Sequence, residues 1–126
     1  QVYLSHSSRC PDVSFISNAH LDTVKSAYML GGPDVVVEVL SPLSAASDRG
    51  EKFFEYEHAQ IREYWLIDPQ RQWAEFYMLN RLGRYQPLVV GDAGTFRSRT
   101  LRQFWLRLEW LWERPLPRAI LRELGV

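Results

Sequence analysis

Apolar residues run almost unbroken from Val35 to Leu40, and Glu38 is the single interruption. An alternating strand buries one face, whereas a near-continuous apolar run predicts a central strand covered on both. Gly31-Gly32-Pro33 is a turn signal that starts this strand at Asp34, and Ser41-Pro42 ends it. Along 34–40 the pleat puts Val35, Val37 and Val39 on one face and Val36, Glu38 and Leu40 on the other. Upstream, Pro11-Asp12 leads into Val13-Ser14-Phe15-Ile16, which predicts a short strand over 12–17 with Val13 and Phe15 on one face. Residues 18–30 keep no clear period and read as a loop with a weak helical turn.

Beyond Pro42 the small polar run to Ser47 reads as a loop. Asp48-Arg49-Gly50-Glu51 then has the form of a capping box, with Asp48 as N-cap of a helix reaching about Gln60. On that helix Lys52, Tyr56 and Ala59 share a stripe, with Phe53 adjacent, so Lys52 lies on the flank that packs and can reach the sheet. Residues 64–69 form the next buried strand. Turns at 70–72 and 81–84 link strands over 73–79 and 85–90, a meander at the far side of the sheet. From Leu101 to Trp112, apolar residues at 104, 105, 108, 111 and 112 suit a packing turn or short helix. A last helix is expected over about 116–124. The pattern predicts a mixed α/β (α+β) fold.

At 126 residues the chain has room for one domain with a real core, not two. Gln1 is not a start methionine, and Val2-Tyr3-Leu4-Ser5 already has strand composition, so the chain reads as lacking an upstream part. A single cysteine, Cys10, excludes an internal disulfide framework and suits a reducing compartment. His6, His20 and His58 stand too far apart for a zinc pattern. No apolar run approaches the roughly 20 residues of a membrane span and no signal peptide is visible, which predicts a soluble, cytoplasmic protein. The formal net charge is zero, against a strongly electrostatic nucleic-acid binder. Its distribution is uneven: residues 1–80 hold 6 Lys and Arg against 11 acids, and residues 81–126 hold 9 Arg against 4 acids. The Arg-rich end could track phosphates, although a solvated surface is the commoner origin of such a bias.

Ionising a carboxylate inside an apolar strand costs several kcal/mol unless a cation or hydrogen bonds compensate, roughly 2–7 even for an uncharged polar group. Glu38 therefore stands out, with a buried salt bridge to an arginine such as Arg62 as the structural alternative. Phosphodiester hydrolysis needs a divalent cation plus a positive charge that orients the nucleophile or stabilises the transition state. Mg²⁺ is usually held by one or two carboxylates, a carbonyl and waters. Asp12 and Glu38 can supply the carboxylates, the Val39 carbonyl a third ligand, and Lys52 the positive charge. Each has a plainer reading: a turn cap for Asp12, a helix-surface lysine for Lys52. Asp34 and Ser41 read as turn residues, Asp48 as a cap and Tyr56 as core with its hydroxyl at the edge.

Three segments together resemble the Uma2 (DUF820) family, restriction-endonuclease-like members of the PD-(D/E)XK nuclease superfamily. They are Pro33-Asp34-Val35-Val36-Val37-Glu38-Val39-Leu40-Ser41-Pro42, then Asp48-Arg49-Gly50-Glu51-Lys52 with Tyr56, then Glu63-Tyr64-Trp65-Leu66-Ile67-Asp68-Pro69. The resemblance covers roughly residues 9–125. It implies a restriction-endonuclease-like mixed sheet flanked by helices and Mg²⁺- or Mn²⁺-dependent cleavage of DNA, often by a homodimer. It also implies an amino-terminal helix and strands, which this chain reads as lacking. The proline-linked aspartate matches Asp12 and the second acid Glu38. The lysine position of the strand motif is Leu40, so the lysine role passes to Lys52 on the helix. Leu43 and Ala59-Gln60 depart from the family's small or polar residue and its Ala-Gly turn. A catalytically inactive nuclease-fold domain, acting in DNA binding or protein assembly, is the alternative.

Overall fold

A computed structural model describes residues 11–16 and 33–113, together with 2–3, 8–9, 29–30, 118 and 122. Its centre is a five-stranded sheet. The strands, numbered in chain order, are β3 (Val13–Phe15), β5 (Val35–Val39), β6 (Glu63–Asp68), β7 (Trp73–Leu79) and β8 (Tyr85–Gly91), and they lie side by side in that order. β3 is antiparallel to β5, β5 is parallel to β6, and β6, β7 and β8 form the expected antiparallel meander. A parallel pair needs a crossover. Here it is helical: α1 (Ala45–Arg49) and α2 (Glu51–His58) connect β5 to β6. Three two-residue strands, β1 (Val2–Tyr3), β2 (Ser8–Arg9) and β4 (Met29–Leu30), make a separate small sheet.

The sheet is covered on both faces, as the unbroken apolar run of β5 requires. Against the helices, Val36, Leu40, Tyr64, Leu66 and Tyr85 pack with Tyr56 and Ile61. On the opposite face Val35, Val37, Trp65, Ala74 and Phe76 pack under Phe96 and Leu108. Phe96 and Leu108 lie in and just after a hairpin of β9 (Thr95–Arg97) and β10 (Trp105–Arg107), followed by α3 (Trp110–Glu113). Phe76 and Phe96 stack at 3.9 Å and Trp65 meets Phe96 edge-on, so aromatic rings fill this layer.

Two local expectations are corrected. Residues 45–47 are helix rather than loop, so Asp48 sits inside α1; it is no N-cap and closes no capping box. The break between the helices falls at Gly50. The 101–112 stretch is a strand followed by a short helix; its strand was hidden because pairing with β9, not local period, creates it. The helix expected over 116–124 lies outside the described residues, except for helical positions 118 and 122.

The carboxyl end of α2 explains one departure from the family pattern. Gln60 has φ 61°, a left-handed conformation that favours glycine. Ile61 N donates to Tyr56 O at 3.1 Å and Gln60 N to Glu57 O at 3.0 Å, the paired bonds of a Schellman cap. The Gln60 side chain offsets its backbone cost by donating to Glu57 O and to Gly83 O in the β7–β8 turn.

Candidate active site

Glu38 projects from β5 towards α2 and is 2 % exposed. Among the described residues no arginine, Arg62 included, pairs with Glu38. Its Oε2 lies 3.3 Å from Lys52 Nζ, and its Oε1 accepts a 3.0 Å hydrogen bond from the Tyr56 hydroxyl. Both partners come from one helical stripe, because residues four apart on α2 face the sheet together. Leu40 shares the face of Glu38 but fills core, while Lys52 reaches Glu38 from the helix.

Lys52 has a second partner that the sequence reading missed. Its Nζ is 2.7 Å from Asp48 Oδ1, an ion pair rather than a well-aligned hydrogen bond, and Asp48 is 1 % exposed. The only legible signal was the i, i+4 spacing across Gly50, masked by the capping-box pattern.

Asp12 stands at the sheet edge. β3 pairs Val13 with Val37, so continuing the antiparallel register puts Asp12 across from Glu38. Asp12 Oδ2 accepts a 2.7 Å hydrogen bond from Val39 N, which ties the exposed carboxylate to the strand end that carries the acid. Val39 itself is 42 % exposed. Ser41 engages Ser44 in a turn, and Asp34, just before β5, donates its N–H to Phe15 O; both keep structural roles.

Electrostatics give the groups distinct states. Burial pushes the Glu38 carboxyl above the ordinary carboxylate range; Lys52 and the Tyr56 hydroxyl pull against that, and Asp48 adds to it. For Lys52, burial works downwards, but the close contact with Asp48 and the charges of Glu38 and Asp48 outweigh it. The net shift is up, so Lys52 is an ammonium at neutral pH and no general base.

A second charged group lies along the same face. Register carries Glu38 to Leu66 and Leu66 to Glu75, and Arg49 ion-pairs with Glu75 and lies 3.9 Å from Asp68. The Tyr77 hydroxyl donates to Glu75 at 2.6 Å. A pocket of about 270 Å³ opens there, lined in part by Arg49, Phe54, Glu75 and Tyr77. A larger pocket of about 850 Å³ lies at the β7–β8 turn and has no acid in its lining, so it lacks this chemistry.

Among the described residues no group of three or more His, Cys, Asp or Glu side chains is spaced to hold a metal ion by itself. A cation that keeps several waters needs only one or two carboxylates. Also among the described residues, no helix is long and apolar enough to cross a membrane.

Comparison with known proteins bears on the fold and the family. An uncharacterized protein of Synechocystis, slr1290, is 35 % identical over 81 residues, 64 % of this chain and 42 % of that relative. The crystal structure of "a putative nuclease belonging to DUF820" from Anabaena variabilis superposes with a TM-score of 0.70 at 19 % identity. The match covers 89 % of this chain and 64 % of that one, and at such identity it shows a shared fold. The chain thus spans less than two thirds of either protein. The family model described as "Uma2: Putative restriction endonuclease" matches residues 1–109, and the chain belongs to that family.

Proposed function

We propose that the chain carries a Mg²⁺- or Mn²⁺-dependent site that hydrolyses phosphodiester bonds of DNA. The observation that carries this reading is the buried Glu38, bracketed by Lys52 and Tyr56 on the helix side and faced in register by Asp12 at the strand end. Two carboxylates, Glu38 and Asp48, share one ammonium, Asp12 stands across from Glu38 at the sheet edge, and Asp48 Oδ2 is buried without a hydrogen-bond partner among the described residues. That excess of negative charge and the all-oxygen donors fit a hard divalent cation. Asp12, Glu38 and the Val39 carbonyl would hold it. When bound, such an ion supplies charge that polarises the phosphate and acidifies a water.

The chain's own groups do the rest. Tyr56 fixes the Glu38 rotamer by donating to Oε1. Lys52, charged and held against Glu38, can donate to a phosphate oxygen and offset the negative charge that develops as water attacks phosphorus and the bond to one ester oxygen breaks. The Val39 N–H orients Asp12. Exposed Arg97, Arg99 and Arg102 supply cationic surface of the kind that phosphate backbones attract.

The test is nicking of supercoiled plasmid with Mg²⁺ or Mn²⁺ by the chain, beside Glu38→Ala and Lys52→Ala. Metal-dependent nicking that Glu38→Ala abolishes and Lys52→Ala lowers to a residual rate supports the reading. Nicking at the wild-type rate in both refutes the site, and an inert wild-type chain favours a non-catalytic role in DNA binding or assembly.

A further inference from the structure

The structure assigns Asp48 as the residue that positions Lys52, holding its ammonium beside Glu38 without letting it collapse onto that carboxylate. This rests on the proposed role of Lys52 but concerns a residue outside the Asp12–Glu38–Lys52 set.

Three observations carry it. First, the Lys52 ammonium lies nearer Asp48 than Glu38, at 2.7 Å against 3.3 Å. If Glu38 were its sole anion, the ammonium would move fully onto Oε2 and compete with any cation that Glu38 binds. Secondly, Asp48 shows no other task among the described residues. Its side chain caps no helix, its Oδ2 finds no hydrogen-bond partner among the described residues, and it is 1 % exposed. A carboxylate buried so incompletely satisfied is costly, and Lys52 is the partner that offsets the cost.

Thirdly, the backbone is built to put Asp48 there. The Tyr64 hydroxyl, from β6, donates to Asp48 O at 2.8 Å and pins the residue from the sheet. Gly50 lets α1 turn into α2 within a single residue: a Cβ there would lie 2.9 Å from Ala46 O, closer than backbone tolerates. Asp48 and Lys52 therefore keep an i, i+4 relation although they sit on different helices. Outer-shell partners that orient metal ligands typically cost about 10–100-fold when lost, and a residue that orients a catalytic ammonium is expected to act on the same scale.

A double-mutant cycle on plasmid nicking tests this, with thermal melts confirming that each variant is folded. Asp48→Asn should lower kcat by about 10–100-fold, leave KM for DNA within about twofold, and add nothing further in a Lys52→Ala background. An equal loss in that background would mean that Asp48 acts through the fold, and the assignment would fall. Asp48→Ser, which leaves room for water, replaces the asparagine variant if the latter does not fold.

A second readout does not need activity. A held ammonium gives a protected ¹H–¹⁵N signal for Lys52 Nζ, which should persist in Glu38→Gln and vanish in Asp48→Asn. A signal unchanged in Asp48→Asn overturns the assignment. If the wild-type chain cleaves nothing, the nuclease reading fails, and this signal alone decides whether Asp48 is the anchor.

Discussion

Glu63 offers the sharpest check on which buried acids are structural. It sits in the family-like segment Glu63-Tyr64-Trp65 and is 0 % exposed, yet it pairs in register with Val35 and so faces away from Glu38 and the helices. Its Oε2 accepts from the Ser98 hydroxyl at 2.7 Å and Thr100 N at 3.3 Å, and its Oε1 accepts from Arg99 N at 3.2 Å. Ser98 Oγ in turn accepts from Leu101 N, so one carboxylate organises the turn that brings Phe96 and Phe104 over the sheet. Glu63→Gln can keep the two bonds at Oε2 only by aiming its NH₂ at the Arg99 amide. That loses one hydrogen bond to a carboxylate and sets two donors face to face, a cost of roughly 1.5–3 kcal/mol. For a chain of this size it lowers Tm by about 4 °C per kcal/mol, hence about 6–12 °C. Glu63→Ala strands three donors and leaves a cavity, at roughly 4 kcal/mol or more, a large share of the 5–15 kcal/mol typical of a domain. Thermal and urea melts give the stabilities, and nicking assayed well below Tm gives the activity. Glu63→Gln should cleave like wild type. An unchanged Tm, or lost cleavage at unchanged Tm, would refute the separation of roles across the two sheet faces.

Lys52→Met leaves Glu38 and Asp48 buried without their cation and should cost about 3 kcal/mol at neutral pH, read by urea melts. Glu38 ionisation is held above its usual 4.5, so its contribution favours the fold below that pH and is lost as pH rises through its folded value. The Lys52→Met deficit should therefore shrink as pH falls through the folded value of Glu38, above 4.5, and a deficit flat with pH would count against the network. Lys52 itself is shifted above 10.5, so in wild type its contribution is complete below that pH and disappears only as pH rises through the folded value. Tyr56→Phe removes the Glu38 Oε1 donor; it should cost about 1–2 kcal/mol and move the acid limb of the pH–rate profile upwards. At Gln60, glycine and alanine both lose the side-chain bonds, but only glycine relieves φ 61°. Gln60→Gly should be more stable than Gln60→Ala by about 1 kcal/mol, and equal melting temperatures would contradict the Schellman reading.

Much of the sheet was legible because β5 to β8 carry their signals locally. The apolar run of β5, the Pro69 stop and the turn residues at 70–72 and 81–84 punctuate it. The burial of Glu38 followed from the same run, and the helical stripe of Lys52 and Tyr56 gave the direction of both side chains. What failed had a non-local cause. The β9–β10 hairpin exists because Phe96 and Leu108 are buried beneath the sheet, which no local period reports. Asp48-Arg49-Gly50-Glu51 imitates a helix start at Asp48, whereas α1 had already begun at Ala45 and Gly50 separates it from α2. The Arg49–Glu75–Asp68 group joins a crossover helix to two strands, and only the folded register brings it together.

The central claim is that Asp12 and Glu38 form one cation site against Lys52. Anomalous diffraction from crystals soaked in Mn²⁺ tests it most directly. One strong peak is expected about 2.0–2.3 Å from carboxylate oxygens of both Asp12 and Glu38, absent in Glu38→Gln, with Lys52 Nζ still against Asp48. A saturating soak that leaves this position empty, or that places Mn²⁺ at Asp68 and Glu75 instead, would contradict it.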